Sequence, residues 1–216
     1  MLIKTEGIIL TKKPLKEKSA SIYILTKKLG LIKAEAVGIR QAKSKLLTLV
    51  EPGTSGKLAL IAESNKFRLI TILPYKIPYK IFNLYPYTFL WALRFITLFN
   101  FVELSNEFWK LMINLDKYLL KAPRSFPLWF MIKVFDELGV SPNITHCFNC
   151  GLKLKTDIYL KDGKLYCQNC SRLAYQKINY NEYKNLLLFF SSPQPLANYP
   201  SWLKAIIASH LKRLPL

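Results

Sequence analysis

Cys147, Cys150, Cys167 and Cys170 form two CxxC pairs separated by the sixteen residues Gly151–Tyr166, and they are the chain's only cysteines. Each CxxC turn presents two thiolates to one point, and two facing turns complete a tetrahedral sulfur set suited to Zn²⁺. Gly151 lets the chain turn back after the first pair, and Tyr159–Tyr166, with Lys161-Asp162-Gly163-Lys164 at its tip, is predicted to be a hairpin that returns to the second pair. The module reads as a zinc ribbon. Four thiolates fill the coordination sphere and leave no position for water or substrate, so the metal is expected to be structural. A pair of redox dithiols or an iron–sulfur cluster would use the same residues, but neither a thioredoxin-like βαβ context nor ferredoxin spacing is present. His146, beside the first ligand, is kept out of the ligand set as a neighbour of the site.

Other chemistry is hard to find. There is no Gly-rich phosphate loop and no metal-binding His pair. His146 and His210, the only histidines, lie in no nucleophile context, and the 13 acidic residues lack the paired spacing of a nuclease. The expectation is a binding protein rather than an enzyme.

The charge says what is bound. Net charge is +19, distributed unevenly: residues 1–78 hold 15 Lys/Arg against 5 Asp/Glu, residues 79–146 hold 7 against 5, and residues 147–216 hold 10 against 3. Solubility needs only mixed charge, so an excess concentrated at the two ends points to a polyanionic partner. Lys12, Lys13, Lys16 and Lys18 fall between the first two expected strands, Lys27 and Lys28 in the next turn, and Arg40, Lys43 and Lys45 after Gly38; Arg68 lies in the fifth. Turns at the rim of a small barrel would let these cations track a phosphate backbone. Tyr23, Phe67 and Tyr75 could stack on bases, although filling the barrel interior is the commoner role for such rings.

Several elements must position these groups. Ile8–Thr11, Ser21–Thr26, Leu31–Val37, Lys57–Ala62 and Phe67–Leu73 are five β-like runs bounded by glycines, Pro52 and the turn Glu63-Ser64-Asn65-Lys66. Five strands in so short a stretch predict a small barrel, an OB-fold first, with an SH3-like barrel sharing the strand count. The period then changes. Helices are predicted from Pro86 to about Phe101, from a Ser105 cap through Phe108, Leu111, Met112, Leu115 and Leu119, and from a Ser125 cap with Leu128, Met131, Ile132, Phe135 and Leu138 as one apolar face. Gly139 and Pro142 end the third, and Asn181–Phe190 and Ser201–Leu214 follow the ribbon, separated by the loop Pro193–Pro200. The fold class is therefore α+β and multi-domain: a barrel over 1–78, a helical domain over 79–146 and 172–216, and a metal module over 147–171. The apolar stretch Thr88–Val102 carries Arg94 and Asn100 and is too short to span a bilayer. With no visible signal segment and cysteines only at metal spacing, a cytoplasmic, nucleoid-associated protein is expected.

The order of these features resembles one family, the bacterial recombination mediator RecO. The resemblance rests on Glu6–Leu10 (EGIIL), Thr26–Gly30 (TKKLG), Val37–Leu46 (VGIRQAKSKL) and Glu51–Gly53 (EPG), and above all on Phe130–Gly151 (FMIKVFDELGVSPNITHCFNCG) running into YCQNC. It implies an N-terminal OB-fold, a helical domain and a zinc module. It further implies binding of single- and double-stranded DNA, annealing of complementary strands, and action with RecR to place RecA on DNA coated by single-stranded-DNA-binding protein. By position it implies DNA contact from Gly38–Lys45, with Arg40 and Lys43 on phosphates and Ser44 hydrogen-bonding one of them. Arg94, Lys110, Lys121 and Arg124 are the cations offered for the acidic tail of the single-strand-binding protein. Two readings from other classes stay open: a zinc-ribbon adaptor for acidic proteins, and a metal-dependent nuclease or redox enzyme.

Overall fold

The computed structural model describes residues 1–15, 17–41, 44, 46–63, 66–172, 174–191 and 201–212. Lys16, Lys43, Lys45, the Ser64-Asn65 turn and the Pro193–Pro200 loop lie outside the described residues. The chain forms two compact units, Met1–Leu120 and Lys121–Leu216. Among the described residues no helix is long and apolar enough to cross a membrane.

In the first unit β1 (Leu2–Pro14), β2 (Ala20–Thr26), β3 (Gly30–Ala36), β4 (Ser55–Glu63) and β5 (Lys66–Lys76) close a barrel in the order β1-β2-β3-β5-β4. β1 pairs antiparallel with both β2 and β4, and β3 meets β5 in parallel at Ala34–Phe67 and Glu35–Arg68. That connectivity is the OB-fold's, which settles the choice that periodicity left between barrels. β1 runs beyond both ends of the expected Ile8–Thr11 because its polar ends still find ladder partners, Lys13 with Ser21 and Lys4 with Ala59.

The interior is aliphatic. Ile9, Ile22, Ile24, Leu58, Leu60 and Leu69 pack there at 2% exposure or less, while Ile39 and Val50 from the β3–β4 connection plug one end. Tyr23 and Phe67 are only half-buried and Tyr75 is exposed, which corrects the expectation that aromatics fill the barrel. β-branched and leucine side chains at alternate positions already fill so small a cylinder, and the rings are displaced outward. Ile8, Ile9 and Leu10 are buried in succession because β1 is covered on its outer side too, where α2 (Pro86–Ile96) packs.

Gly30 holds the β2–β3 turn against the chain that follows α2. Its φ is 61°, Leu31 N–H donates to the Phe101 carbonyl at 2.7 Å, and a Cβ on Gly30 would lie 2.0 Å from that carbonyl oxygen. Gly30→Ala is therefore expected to cost about 2 kcal/mol or more, from the left-handed backbone and the backbone clash together, read as a lowered thermal midpoint.

The helices depart from their expected bounds for local reasons. α1 (Tyr79–Leu84) has no sequence forecast, and α2 stops at Ile96, where the Thr97 hydroxyl donates to the Arg94 carbonyl at 2.7 Å. Ser105 caps α3 (Asn106–Ile113) as expected, its Oγ accepting from Phe108 N–H at 3.1 Å. The predicted continuous helix breaks before α4 (Leu115–Lys121) because the Asn114 side chain donates to the Lys110 carbonyl at 2.8 Å and competes with the helical ladder. All five stripe residues, Phe108, Leu111, Met112, Leu115 and Leu119, are nevertheless buried.

In the second unit, α5 (Phe126–Glu137) buries Phe126, Trp129, Phe130, Ile132, Val134 and Phe135. The expected face is thus rotated, with Leu128, Met131 and Leu138 only half-buried, because the aromatic residues take the interior. Ser125 makes no cap: its backbone is already helical, and its Oγ donates back to the Ala122 carbonyl at 3.4 Å. β6 (Ile158–Lys161), β7 (Lys164–Tyr166) and β8 (Gln176–Ile178) form a three-stranded sheet in the order β7-β6-β8. α6 (Tyr180–Ser191) and α7 (Ser201–Leu211) follow, and the Tyr183 hydroxyl ties α6 to the Ile144 carbonyl at 3.0 Å.

Candidate metal centre and nucleic-acid interface

The four cysteine sulfurs lie within 4.8 Å of one another, and Cys150 Sγ is 3.7 Å from Cys167 Sγ. A tetrahedral ion with metal–sulfur bonds of about 2.3 Å would separate sulfurs by roughly 3.8 Å, so the set fits one ion. Local backbone builds each half. Gly151 N–H donates to the Cys147 carbonyl at 3.0 Å, Cys170 N–H to the Cys167 carbonyl at 3.1 Å, and Phe148 N–H ties the first turn to β7 through the Leu165 carbonyl at 2.8 Å. The hairpin between the pairs turns at Asp162 and Gly163, whose φ angles are 49° and 69°, as the Asp-Gly turn requires. The strand β8, which extends that hairpin to three strands, carries no recognisable sequence signal.

Burial raises the Cys147 thiol, but N–H groups of Cys150, Cys167 and Asn149 and the Cys150 thiol outweigh it and bring it down to about 6. For Cys150 the Leu152 N–H favours the thiolate, yet burial and the three neighbouring thiols together push it up to about 12. These opposed shifts describe sulfurs too close to ionise together unless a cation sits among them. His146 is not part of the cluster; its Nδ1 lies 2.8 Å from Thr145 Oγ1, and its ring is exposed.

The basic side chains of the barrel gather mainly in two places. At the end where β2 begins, Lys13 and Lys33 hold their ammonium groups 6.0 and 5.9 Å from the Tyr23 ring centre. Arg40 N–H donates to the Lys18 carbonyl at 3.2 Å, which brings the Gly38 segment beside the β1–β2 connection. Ser44 N–H closes a turn onto the Gln41 carbonyl at 2.9 Å. A groove of about 390 Å³ opens here, walled by Leu15, Ser21, Lys33, Glu35, Lys66 and Phe67. This is the β2–β3 face with Leu15 of the β1–β2 connection and the start of β5, a face on which OB-folds hold oligonucleotides. The Ser21 hydroxyl is buried and has no hydrogen-bond partner among the described residues. Arg68, on β5, is exposed with Glu63 3.9 Å away, and Lys12 is ion-paired with Glu51.

Lys27 and Lys28 lie at the other end of β2, and with Lys4 and Lys57 they line a second groove of about 640 Å³ over β1, β4 and β5. Its one carboxylate, Glu6, accepts from Tyr75 Oη at 3.3 Å and lies 3.7 Å from Lys27. Lys4, Lys33 and Lys57 lie within strands rather than turns, and Lys66, expected in a turn, opens β5; none of the four is among the cations that sequence singles out. Strand alternation, as in Leu31-Ile32-Lys33-Ala34, would have placed Lys33 outside. Arg94 and Lys110 sit exposed on α2 and α3 of the first unit, whereas Lys121 and Arg124 belong to the second.

Residues 1–73 match the family Recombination protein O N terminal, and residues 112–211 match Recombination protein O C terminal. The DNA repair protein RecO of Alkaliphilus metalliredigens (strain QYMF) is 27% identical over 196 residues, covering 84% of this chain and 77% of that protein. The N-terminal match falls on the closed barrel and the C-terminal match spans the cysteine cluster, in the family's own order. The chain belongs to the RecO family of DNA repair and recombination proteins.

Proposed function

We propose that this chain is a DNA-binding recombination mediator that anneals complementary single strands and, with RecR, helps RecA onto DNA coated by single-stranded-DNA-binding protein. The observation that carries this reading is the groove on the β2–β3 face, where Lys33, Lys66 and the half-buried ring of Phe67 stand together beside the Lys13–Tyr23–Lys33 cluster. Cations there neutralise phosphates and rings accept unstacked bases. Glu35 on the same wall disfavours a phosphate at its own position and leaves that place to a base edge. Annealing needs no bond-making group: two polyanions repel, and a surface that displaces counterions from both lets pairing proceed. The chain acts without catalysis, in the cytoplasm, and its four thiolates hold a structural Zn²⁺ that leaves no site for a substrate.

The test is annealing of complementary oligonucleotides with neither nucleotide nor divalent ion added. Acceleration is expected at low salt; no acceleration together with no DNA binding rejects the reading. One observation favours a protein adaptor instead: the larger groove is lined by Leu73, 65% exposed, together with Lys4, Lys27, Lys28 and Lys57. An acidic peptide that stays bound at a salt concentration where DNA has dissociated would favour that second reading.

A further inference from the structure

The sheet of the metal module has two unlike faces. Ile158, Leu160, Leu165 and Ile178 point inward and are at most 7% exposed. The cross-strand pairs Tyr159–Tyr166, Tyr159–Lys177 and Lys161–Lys164 bring these five residues together on the outer face. Two rings flank it. Tyr166 lies 4.8 Å from Tyr175 and 6.0 Å from Phe148, centre to centre, with Lys161 Nζ 5.1 Å over Tyr175 and Lys164 Nζ 3.5 Å over Phe148. Phe148, between the first two cysteines, is 55% exposed.

A small module with little interior could use such rings simply as cover, with lysine stems across them. The charge pattern argues for more. Residues 147–178 hold six Lys/Arg against two acids. One acid, Asp157, is bound to Lys177 at 2.5 Å; the other, Asp162, sits at the hairpin tip. Lys161 and Lys164 face each other directly across the hairpin, a like-charge pair that costs stability. A cover would be better built with one acid in that pair; a polyanion relieves the repulsion from outside.

We propose that this face binds single-stranded nucleic acid, Lys161 and Lys164 meeting phosphates while Tyr159, Tyr166 and Tyr175 take unstacked bases and Phe148 closes the row. Flat rings on a strand surface suit bases, which a duplex keeps stacked and an acidic peptide lacks. The site lies in the compact unit that does not contain the barrel, so it adds a second strand-binding surface and stands independently of the barrel groove.

The test is ultraviolet cross-linking of the full chain to an oligothymidylate carrying 5-iododeoxyuridine, with the linked peptides mapped by mass spectrometry. Links to Phe148, Tyr159, Tyr166 or Tyr175, displaced by unlabelled single strand but not by duplex or polyglutamate, are expected. Links confined to residues 1–120 overturn this site and leave the barrel reading standing; links confined to the ribbon do the reverse. Displacement by polyglutamate as effective as by single strand overturns it in favour of an acidic protein partner. Tyr166→Ala and Tyr175→Ala should each weaken single-strand binding at least about fivefold with the salt slope unchanged, and the phenylalanine replacements should restore it. Lys161→Ala with Lys164→Ala should flatten the slope by about 1.4. Bound metal measured in each variant shows that the module is intact; if an alanine variant loses it, the phenylalanine variant and the cross-link map decide.

Discussion

Cys167→Ser is expected to abolish stoichiometric zinc binding and to open residues 147–178 to protease, while Met1–Leu120 keeps its resistance. The module's interior is little more than Ile158, Leu160, Leu165, Ile178 and Leu154 beside Cys147, too few side chains to order its turns unaided. Metal binding in such small sulfur sites is worth about 10–16 kcal/mol and is itself the folding energy. A strong chelator should act as the substitution does, with zinc release followed by dye and cleavage by gel. The pH dependence follows from the sulfurs. In the metal-free protein, the lowering of Cys147 to about 6 favours the fold above its ordinary value of 9.0, a contribution lost as pH falls toward 6. The raising of Cys150 to about 12 favours the fold below 9.0 and is lost as pH rises toward 12. Bound zinc needs both as thiolates, so acid should release it and alkali should not. A serine variant that keeps one zinc per chain, or an unchanged digestion pattern, would show that these sulfurs do not hold the module together.

How far such a site can be foreseen depends on whether its residues are neighbours in sequence. The cysteine pairs and the Asp-Gly hairpin are local, so spacing alone placed them. Five strands were visible because Ile22, Ile24, Leu58 and Leu60 alternate with outward residues, but barrel closure depends on the parallel contact of Ala34 with Phe67, far apart in the chain. The same limit hid the groove: Lys33 and Lys66 become neighbours only when β3 and β5 meet. Lysines in turns are conspicuous in the sequence, yet Lys12 is committed to Glu51 and Lys27 faces Glu6. Aromatic residues misled in both directions. Tyr23, Phe67 and Tyr75, for which the barrel interior is the commoner role, lie at or near its surface, while in α5 Trp129 and Phe130 join Ile132 and Phe135 in the core and leave Leu128, Met131 and Leu138 half-buried.

Lys33→Ala combined with Lys66→Ala is expected to weaken single-strand binding about three- to thirtyfold at low salt and to slow annealing in parallel. About six phosphate contacts on a single strand would give a slope of log K against log salt near −4, and removing two should flatten it by about 1.4. Phe67→Ala should behave differently: a lost stacking partner costs roughly 1–3 kcal/mol per base and releases no counterion, so affinity falls while the slope holds. The two outcomes separate a groove that grips phosphates and bases together from one that attracts charge alone. Lys4→Ala with Lys57→Ala, in the larger groove, is the matched control, because it removes the same charge from the same barrel at another place. If long-range attraction were all that mattered, both double variants would lose affinity equally. If the β2–β3 groove is the strand's seat, the first pair loses annealing and the second keeps most of it; the opposite pattern would move the strand to the face over β1, β4 and β5.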